Sequence, residues 1–571
     1  MRSKLFAFLG VLVLLCSASR GQQPFRYRWF YASQNLLVDS NVAALEQLMQ
    51  RAAAAGYNGV VLSDYKLQVL DQVPSHYFTN AAAIVAAAGQ LNLELYPTVF
   101  PVGYANGMLA HDANLVEGQP VHGALFIAGT SPNTATLSPD PAVAVNNGGF
   151  ESVNGNTFSG YLFQDAPGQS TFADAAVVHG GARSLRMEQI GNYPPNGLCR
   201  ICQTVAVAPW RQYHLSVWLK TSGVDHTGNI RIQALAPGTS RPLCSFDLSV
   251  QGTQDWTKYD LVFNSQQNTA ANIYFGVWGS SAGQLWWDDA QLEEVGLLNV
   301  IRRAGAPLVV TSDDGQTTYQ EGADFDPISD PRLGVIPFAG NYEIYHTPPA
   351  IHLTAGTRVQ TGQHLRVSYY HAVWTNDDKI AICPSEPATA GLMKREAALV
   401  CQTFHPRGLF MGHDEVRVMG WCGACAARGL TPGQMLAENA AMGERICLHS
   451  LVASGGSHDV FVWSDMFDPY HNAVASYYLC NGSMAAAATG LPADVVVVNW
   501  NYGQRAQSLP FFHGRGNRQV LAGYYDGPVG NIRTWLNDAQ ALGVPVDGVM
   551  YTTWVGNYAD LEAFAQAAWG P

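Results

Sequence analysis

Apolar and polar positions alternate along this chain in two different rhythms. Near the start, Arg28–Ser33 is a compact apolar run of strand length. Ser40 then stands where a helix cap belongs, and Val42, Leu45 and Met49 follow at helical spacing through an Ala-rich stretch to Gly56. Tyr57–Ser63 is a second apolar run ending at Asp64, and after a further Ala-rich helix Leu93–Val99 is a third. Strand and helix alternating in this way predict parallel β-α units.

The rhythm changes near Asn146. From NNGGFES onward come short β-rich runs, among them SLRMEQI, YHLSVWLK, NIRIQAL, WTKYDLVF, NIYFGVW and LWWDDAQLEEV, separated by Gly, Asn, Ser and Pro. Short strands with turn residues between them predict an antiparallel sandwich over 144–295. Residues 296–387 stay β-rich, as in APLVVTSDD and HLRVSYYHAVW, and predict a small all-β unit or long loops. From Ala388 the first rhythm resumes: the helix LMKREAALVCQTF leads into RGLFMGHDE, followed by DVFVWSDMF, ADVVVVNW, RQVLAGYYDG and DGVMYTTW. Three strands before the interruption and five after it make eight. The expectation is an α/β protein, a (β/α)8 barrel built from 22–143 and 388–571 and interrupted after its third strand.

Composition narrows the class. The chain has 571 residues, more than a single core accommodates, and 47% of them are hydrophobic. Its net charge of -13 argues against a nucleic-acid partner, since phosphate binding requires a basic surface. Arg2 and Lys4, the apolar run Leu5–Leu15 and the small residues before Gly21 form a secretory signal over 1–21, too short to span a membrane, and no later segment is long and apolar enough to do so. A secreted or periplasmic location is expected. Nine cysteines follow the signal. The pairs Cys199/Cys202 and Cys422/Cys425 lie in regions of opposite character, so local disulfides are favoured over a shared zinc site.

Chemistry concentrates at strand ends of the second barrel half. RGLFMGHDEV is an apolar strand ending in His413, Asp414 and Glu415. Barrel enzymes keep their chemistry at this end of the strands. Neighbouring acids repel, which raises one pKa and yields a proton donor near neutral pH. A solvated strand end or a helix-capping Asp is the plain alternative. Trp463, Trp500, Tyr524, Asp526 and Trp554 end the following four strands. Carboxylates with indole walls suit a sugar ring, whose C–H faces stack on aromatics.

Two resemblances arise from these residues. The sandwich resembles jelly-roll carbohydrate-binding modules that open on Asn-Gly-Phe-Glu and close on Trp-x-Asp-Asp; the resemblance implies a structural calcium, with Glu151 and Asp288 as the matching oxygen ligands. The barrel resembles that of the family 20 β-N-acetylhexosaminidases, through HDEV at 413–416, VW at 462–463, NW at 499–500, YYD at 524–526 and TW at 553–554, over 25–105 and 388–571. It implies secreted hydrolysis of β-linked N-acetylhexosamine, with the substrate's 2-acetamido oxygen as nucleophile and no catalytic cofactor. By that resemblance Glu415 is the general acid and Asp414 orients the acetamido group. Tyr524 holds the acetamido oxygen, Asp526 binds hydroxyls, and Trp463, Trp500 and Trp554 enclose the sugar. Arg28, with Arg26 as a near alternative, grips the far hydroxyls. This chain departs from the family at His413, where a glycine is usual, and lacks the family's usual Glu after Trp554. His111 and Asp112, in the loop after the third strand, are candidates to replace lost contacts. Two other readings stay open: a retaining glycosidase with Glu415 as acid and Asp526 as protein nucleophile, and a non-catalytic carbohydrate-binding protein.

Overall fold

A computed structural model describes residues 25–570 except 130–132, 191–197, 281, 376–378 and 457–458. The signal segment lies outside the described residues. Eight parallel strands close into a barrel in the order β1 (Tyr27–Ser33), β2 (Gly59–Ser63), β3 (Glu94–Val99), β4 (Gly408–Met411), β5 (Asp459–Trp463), β6 (Val496–Asn499), β7 (Gln519–Ala522) and β8 (Gly548–Tyr551). Its interior is unusually aromatic: Tyr27, Trp29, Tyr96, Phe410 and Phe461 pack together inside it. Bulk there demands bare backbone opposite. A Cβ on Gly59 would stand 2.6 Å from the Trp29 ring.

Helices cover the outside sparsely. They are α1 (Asp39–Ala54), α2 (Ser75–Leu91), α3 (Pro387–Phe404), α4 (Pro432–Ala453), α5 (Arg505–Gly514), α6 (Asn531–Ala541) and α7 (Leu561–Trp569). Helix α4 starts with a capping box, in which Thr431 and Gln434 satisfy each other's backbone N–H groups, and Pro432 occupies the first turn where no N–H is needed.

The interruption between β3 and β4 is nested. Residues 151–295 form two five-stranded antiparallel sheets packed as a sandwich, whose facing side chains, among them Leu185, Ile201, Leu215, Phe275 and Trp287, are buried. Around it lies a six-stranded sheet that the sequence analysis divided wrongly. Gly118–Ala128 and Thr134–Leu137, placed there in the first barrel part, pair instead with each other and with strands at 364–372 and 351–352 respectively, and the strand at 309–312 extends the sheet beyond 364–372. The chain enters this sheet, leaves for the sandwich and returns to finish it. Periodicity reports a strand but not its partner, and these partners lie more than 200 residues apart. The sandwich's ends meet, as an insertion requires: Ala290 donates its amide to the Gly148 carbonyl at 2.9 Å.

All nine described cysteines are buried and free, so the expected local disulfides do not form. Cys199 and Cys202 share the strand Leu198–Ala206, where an i, i+3 pair points to opposite faces.

Candidate active site

At the C-terminal ends of the barrel strands lies a cavity of about 530 Å³, within the range of roughly 300–1,000 Å³ usual for small-molecule sites. Tyr31, Tyr104, Trp463, Trp500, Tyr525 and Trp554 wall it, Lys379 reaches in from the inserted block, and Asp414 and Glu415 are the only carboxylates that line it among the described residues. The indoles form a connected set. Trp463 packs against Tyr31 and Trp554 at centroid distances of 6.0 and 5.5 Å, and Trp500 stacks on Tyr525 at 5.1 Å.

The acids emerge where β4 ends. Glu415 has φ +46, a left-handed conformation that costs a side-chain-bearing residue energy and marks strain at functional turns. Its amide is held by buried Asp465, whose Oδ2 accepts the N–H at 2.9 Å. Gly103 lies directly behind; a Cβ there would come within 2.5 Å of the Asp414 carbonyl oxygen.

Electrostatics separate the two acids. Burial, then the neighbouring carboxylates of Asp465 and Glu415, push Asp414 well above the usual carboxylate range. Burial also acts on Glu415 but is outweighed by the Arg417 guanidinium, Tyr104 and Lys379, which hold it below its ordinary value. Arg417 Nη2 lies 2.7 Å from Glu415 Oε2, and the Tyr104 hydroxyl donates to the same oxygen. One acid of the pair is raised, as the sequence implies, but it is Asp414 and not Glu415.

The other residues named from sequence divide. Trp463, Trp500 and Trp554 line the cavity. Tyr524 does not: its ring stacks on Tyr551 at 4.1 Å and its hydroxyl donates to Asp560, while Tyr525 faces the cavity instead. Tyr525 and Asp526 both have positive φ, and this turn shifts the facing position by one residue. Asp526 is outside the lining and turned to the backbone, accepting from Thr553 Oγ1 and, at 2.6 Å, from the Trp554 amide. His413 is buried on the outer side, hydrogen-bonded through Nε2 to Asn439 of α4 at 2.9 Å. Arg28 lies near the start of β1, at the opposite end of the barrel, bonded to the Gly56 and Phe25 carbonyls; it cannot grip a sugar in the mouth. Arg26 likewise pairs with Asp459, at the start of β5. His111 bonds to Gln72 and the Gln68 carbonyl, outside the cavity lining. Tyr31, Tyr104, Lys379, Arg417 and Asp465 were not read from sequence. Arg417 sits two residues beyond the acids and carried a usable signal; Lys379 and Tyr104 depend on long-range packing.

In the sandwich, Glu151 and Asp288 hold one loop from two sides. Glu151 Oε1 accepts from the Ala182 and Arg183 amides, and Asp288 Oδ2 from those of His179 and Gly180. On the sheet that carries Leu198–Ala206, Phe163, Tyr274 and Trp278 form an open aromatic face, with the Arg200 guanidinium 5.3 Å from the Phe163 ring and 6.0 Å from the Trp278 ring.

Comparison with known proteins bears on the sandwich first. Residues 142–283, which span most of the inserted sandwich, match the family model described as a carbohydrate binding domain. Among solved structures, the chain resembles one described as CBM4, 16% identical, covering 26% of this chain and 99% of the other, with a TM-score of 0.21. It also resembles TmCBM61 in complex with beta-1,4-galactotriose, 19% identical, covering 26% and 97%, with a TM-score of 0.21. A rhamnosidase from Novosphingobium sp. PP1Y aligns over 95% of this chain and 58% of its own, at 11% identity and a TM-score of 0.33. At these scores no functional argument passes from them to this chain. A curated relative, an uncharacterized HTH-type transcriptional regulator, YbfP, from Bacillus subtilis (strain 168), is 32% identical over 87 residues, 15% of this chain. The chain spans 29% of that relative's length.

Proposed function

We propose that this chain is an exported glycoside hydrolase whose barrel cleaves β-linked N-acetylhexosamine and whose sandwich holds the glycan. The observation that carries the reading is the cavity's acid set: two adjacent carboxylates from one strand end, aromatic walls around them, and, among the described residues, no lining carboxylate from an opposing strand. A protein nucleophile would have to face the acid across the sugar, about 5 Å away for retention. Asp526, the candidate for that part, is bound to Thr553 and the Trp554 amide and does not line the cavity. A nucleophile supplied by the substrate's acetamido group needs no such residue.

The roles within the pair follow the charges. Asp414 keeps its proton at neutral pH and delivers it to the leaving oxygen; Glu415, ionised beside Arg417, stabilises the positive charge developing at the anomeric carbon. Tyr525 takes the acetamido position that sequence reasoning assigned to Tyr524. Calcium at Glu151 and Asp288 belongs to the same proposal, as a stabiliser of the sandwich rather than a participant in cleavage.

A thiazoline mimic of the cyclised intermediate tests the mechanism. It should bind far more tightly than the free sugar, as transition-state-like ligands do, and a 2-fluoro glycoside should leave no covalent adduct on the protein. Weak thiazoline binding with an adduct at Asp526 would replace this mechanism with the two-carboxylate one.

A further inference from the structure

Four buried side chains outside the cavity have no part in the chemistry above. Cys383 Sγ lies 3.4 Å from Cys422 Sγ and 3.6 Å from Cys425 Sγ, and Cys425 Sγ lies 3.4 Å from Glu117 Oε2. All four donor atoms fall within 4.8 Å of one another. We propose that Glu117, Cys383, Cys422 and Cys425 bind one structural zinc ion.

Distance and donor chemistry support this together. Sulfurs of a disulfide are about 2.05 Å apart, much closer than these. Ligands on a tetrahedral zinc, at roughly 2.3 Å for each Zn–S bond, stand about 3.8 Å from one another. Three soft thiolates select zinc over hard cations and a carboxylate oxygen is an accepted zinc ligand, and four protein ligands leave no open position, which makes the site structural. Glu117 is already oriented for the task. Its Oε1 accepts the amides of Trp421 and Cys422, each at 3.0 Å, which leaves Oε2 directed at the sulfurs. Four ionised ligands crowded in a dry interior need cationic charge. Zinc supplies two units, and the Arg303 guanidinium, in electrostatic contact with Glu117, Cys383 and Cys422, supplies a third.

The placement gives the ion work to do. Glu117 immediately precedes the inserted block's first strand, and Cys383 lies between that block and α3. Cys422 and Cys425 belong to the loop that leaves β4 with Asp414, Glu415 and Arg417. A single ion therefore fastens both ends of the insertion to the loop that carries the acids. Binding displaces the thiol protons to solvent, so affinity rises with pH.

The test is elemental analysis of the full chain purified without chelator from zinc-supplemented medium, with the released metal followed during mercurial titration of thiols. One zinc per chain is expected, freed as the trio is titrated, with every cysteine reactive as a thiol after denaturation. Cys422→Ser combined with Cys425→Ser should abolish zinc retention, whereas Cys401→Ser, buried elsewhere, should leave it intact. Because the wild-type content is decisive alone, a variant that fails to fold does not shield the proposal. A metal-free chain with all thiols reactive, a disulfide within the trio, or zinc retained by the double variant would each overturn it. None of these readings depends on turnover, so the glycosidase assignment stands or falls separately.

Discussion

Asp414 and Glu415 are neighbours in sequence whose pKa values move in opposite directions, and the difference lies in what surrounds each. Asp414 faces burial and other carboxylates; Glu415 faces Arg417 and Lys379. Turnover should therefore follow a bell in pH, its acid limb set by Glu415 ionising and its alkaline limb by Asp414 losing its proton. Arg417→Met removes a cation that favours ionisation of both acids, so both limbs should move to higher pH in a kcat/KM profile. Unmoved limbs would mean that Arg417 does not act on these groups. The same signs apply to folding: a carboxyl with a raised folded pKa stabilises below its unfolded value, and that contribution is lost as pH rises through the folded one. Asp414→Asn should therefore flatten the decline of Tm toward alkaline pH. Gly103 tests the backbone. Gly103→Ala would force its methyl against the Asp414 carbonyl, and turnover should fall with the fold retained by circular dichroism.

At the scale of elements, the sandwich sheet that presents Phe163, Tyr274 and Trp278 offers the flat faces on which sugar rings stack. Trp278→Ala should weaken binding of oligosaccharides, measured by calorimetry, while leaving hydrolysis of small aryl glycosides unchanged. Equal loss of both would tie this face to the cavity. Much of this level was legible beforehand. The eight barrel strands follow from apolar runs of fixed length between helical stretches, and the sandwich from its turn chemistry. Gly118–Leu137 was misplaced because its distant partners come from 351–372, and nothing local to a strand names a distant partner. The site shows the same division. Asp414, Glu415 and the three tryptophans sit on strand ends whose direction the barrel dictates. Tyr524 failed by one residue because left-handed backbone at Tyr525 and Asp526 breaks strand alternation, and Arg28 failed because its place near the start of β1 puts it at the wrong end of the barrel. Glu117 and Cys383 join the CxxC pair only through tertiary folding.

For the whole molecule, the nested connection matters most. The sandwich leaves and rejoins the six-stranded sheet at adjacent points, so deleting it with a short linker should preserve barrel turnover on small substrates; loss of folded barrel would show that it is integral. The six-stranded sheet should not be removable in the same way. The chain that leaves its strand 364–372 delivers Lys379 to the cavity, and the sheet's flanks hold Glu117 and Cys383 beside the loop that carries Asp414 and Glu415.

The central claim is that this cavity hydrolyses N-acetylhexosaminides, and release of chromophore from aryl β-glycosides of N-acetylglucosamine, N-acetylgalactosamine and glucose measures it most directly. The account predicts turnover of an acetamido sugar and little of glucose. Asp414→Asn should cost about 10²- to 10⁴-fold, the usual share of a general acid, and least where the leaving group needs no proton. Glucoside turnover matching the acetamido sugars, or activity surviving loss of both acids, would contradict it.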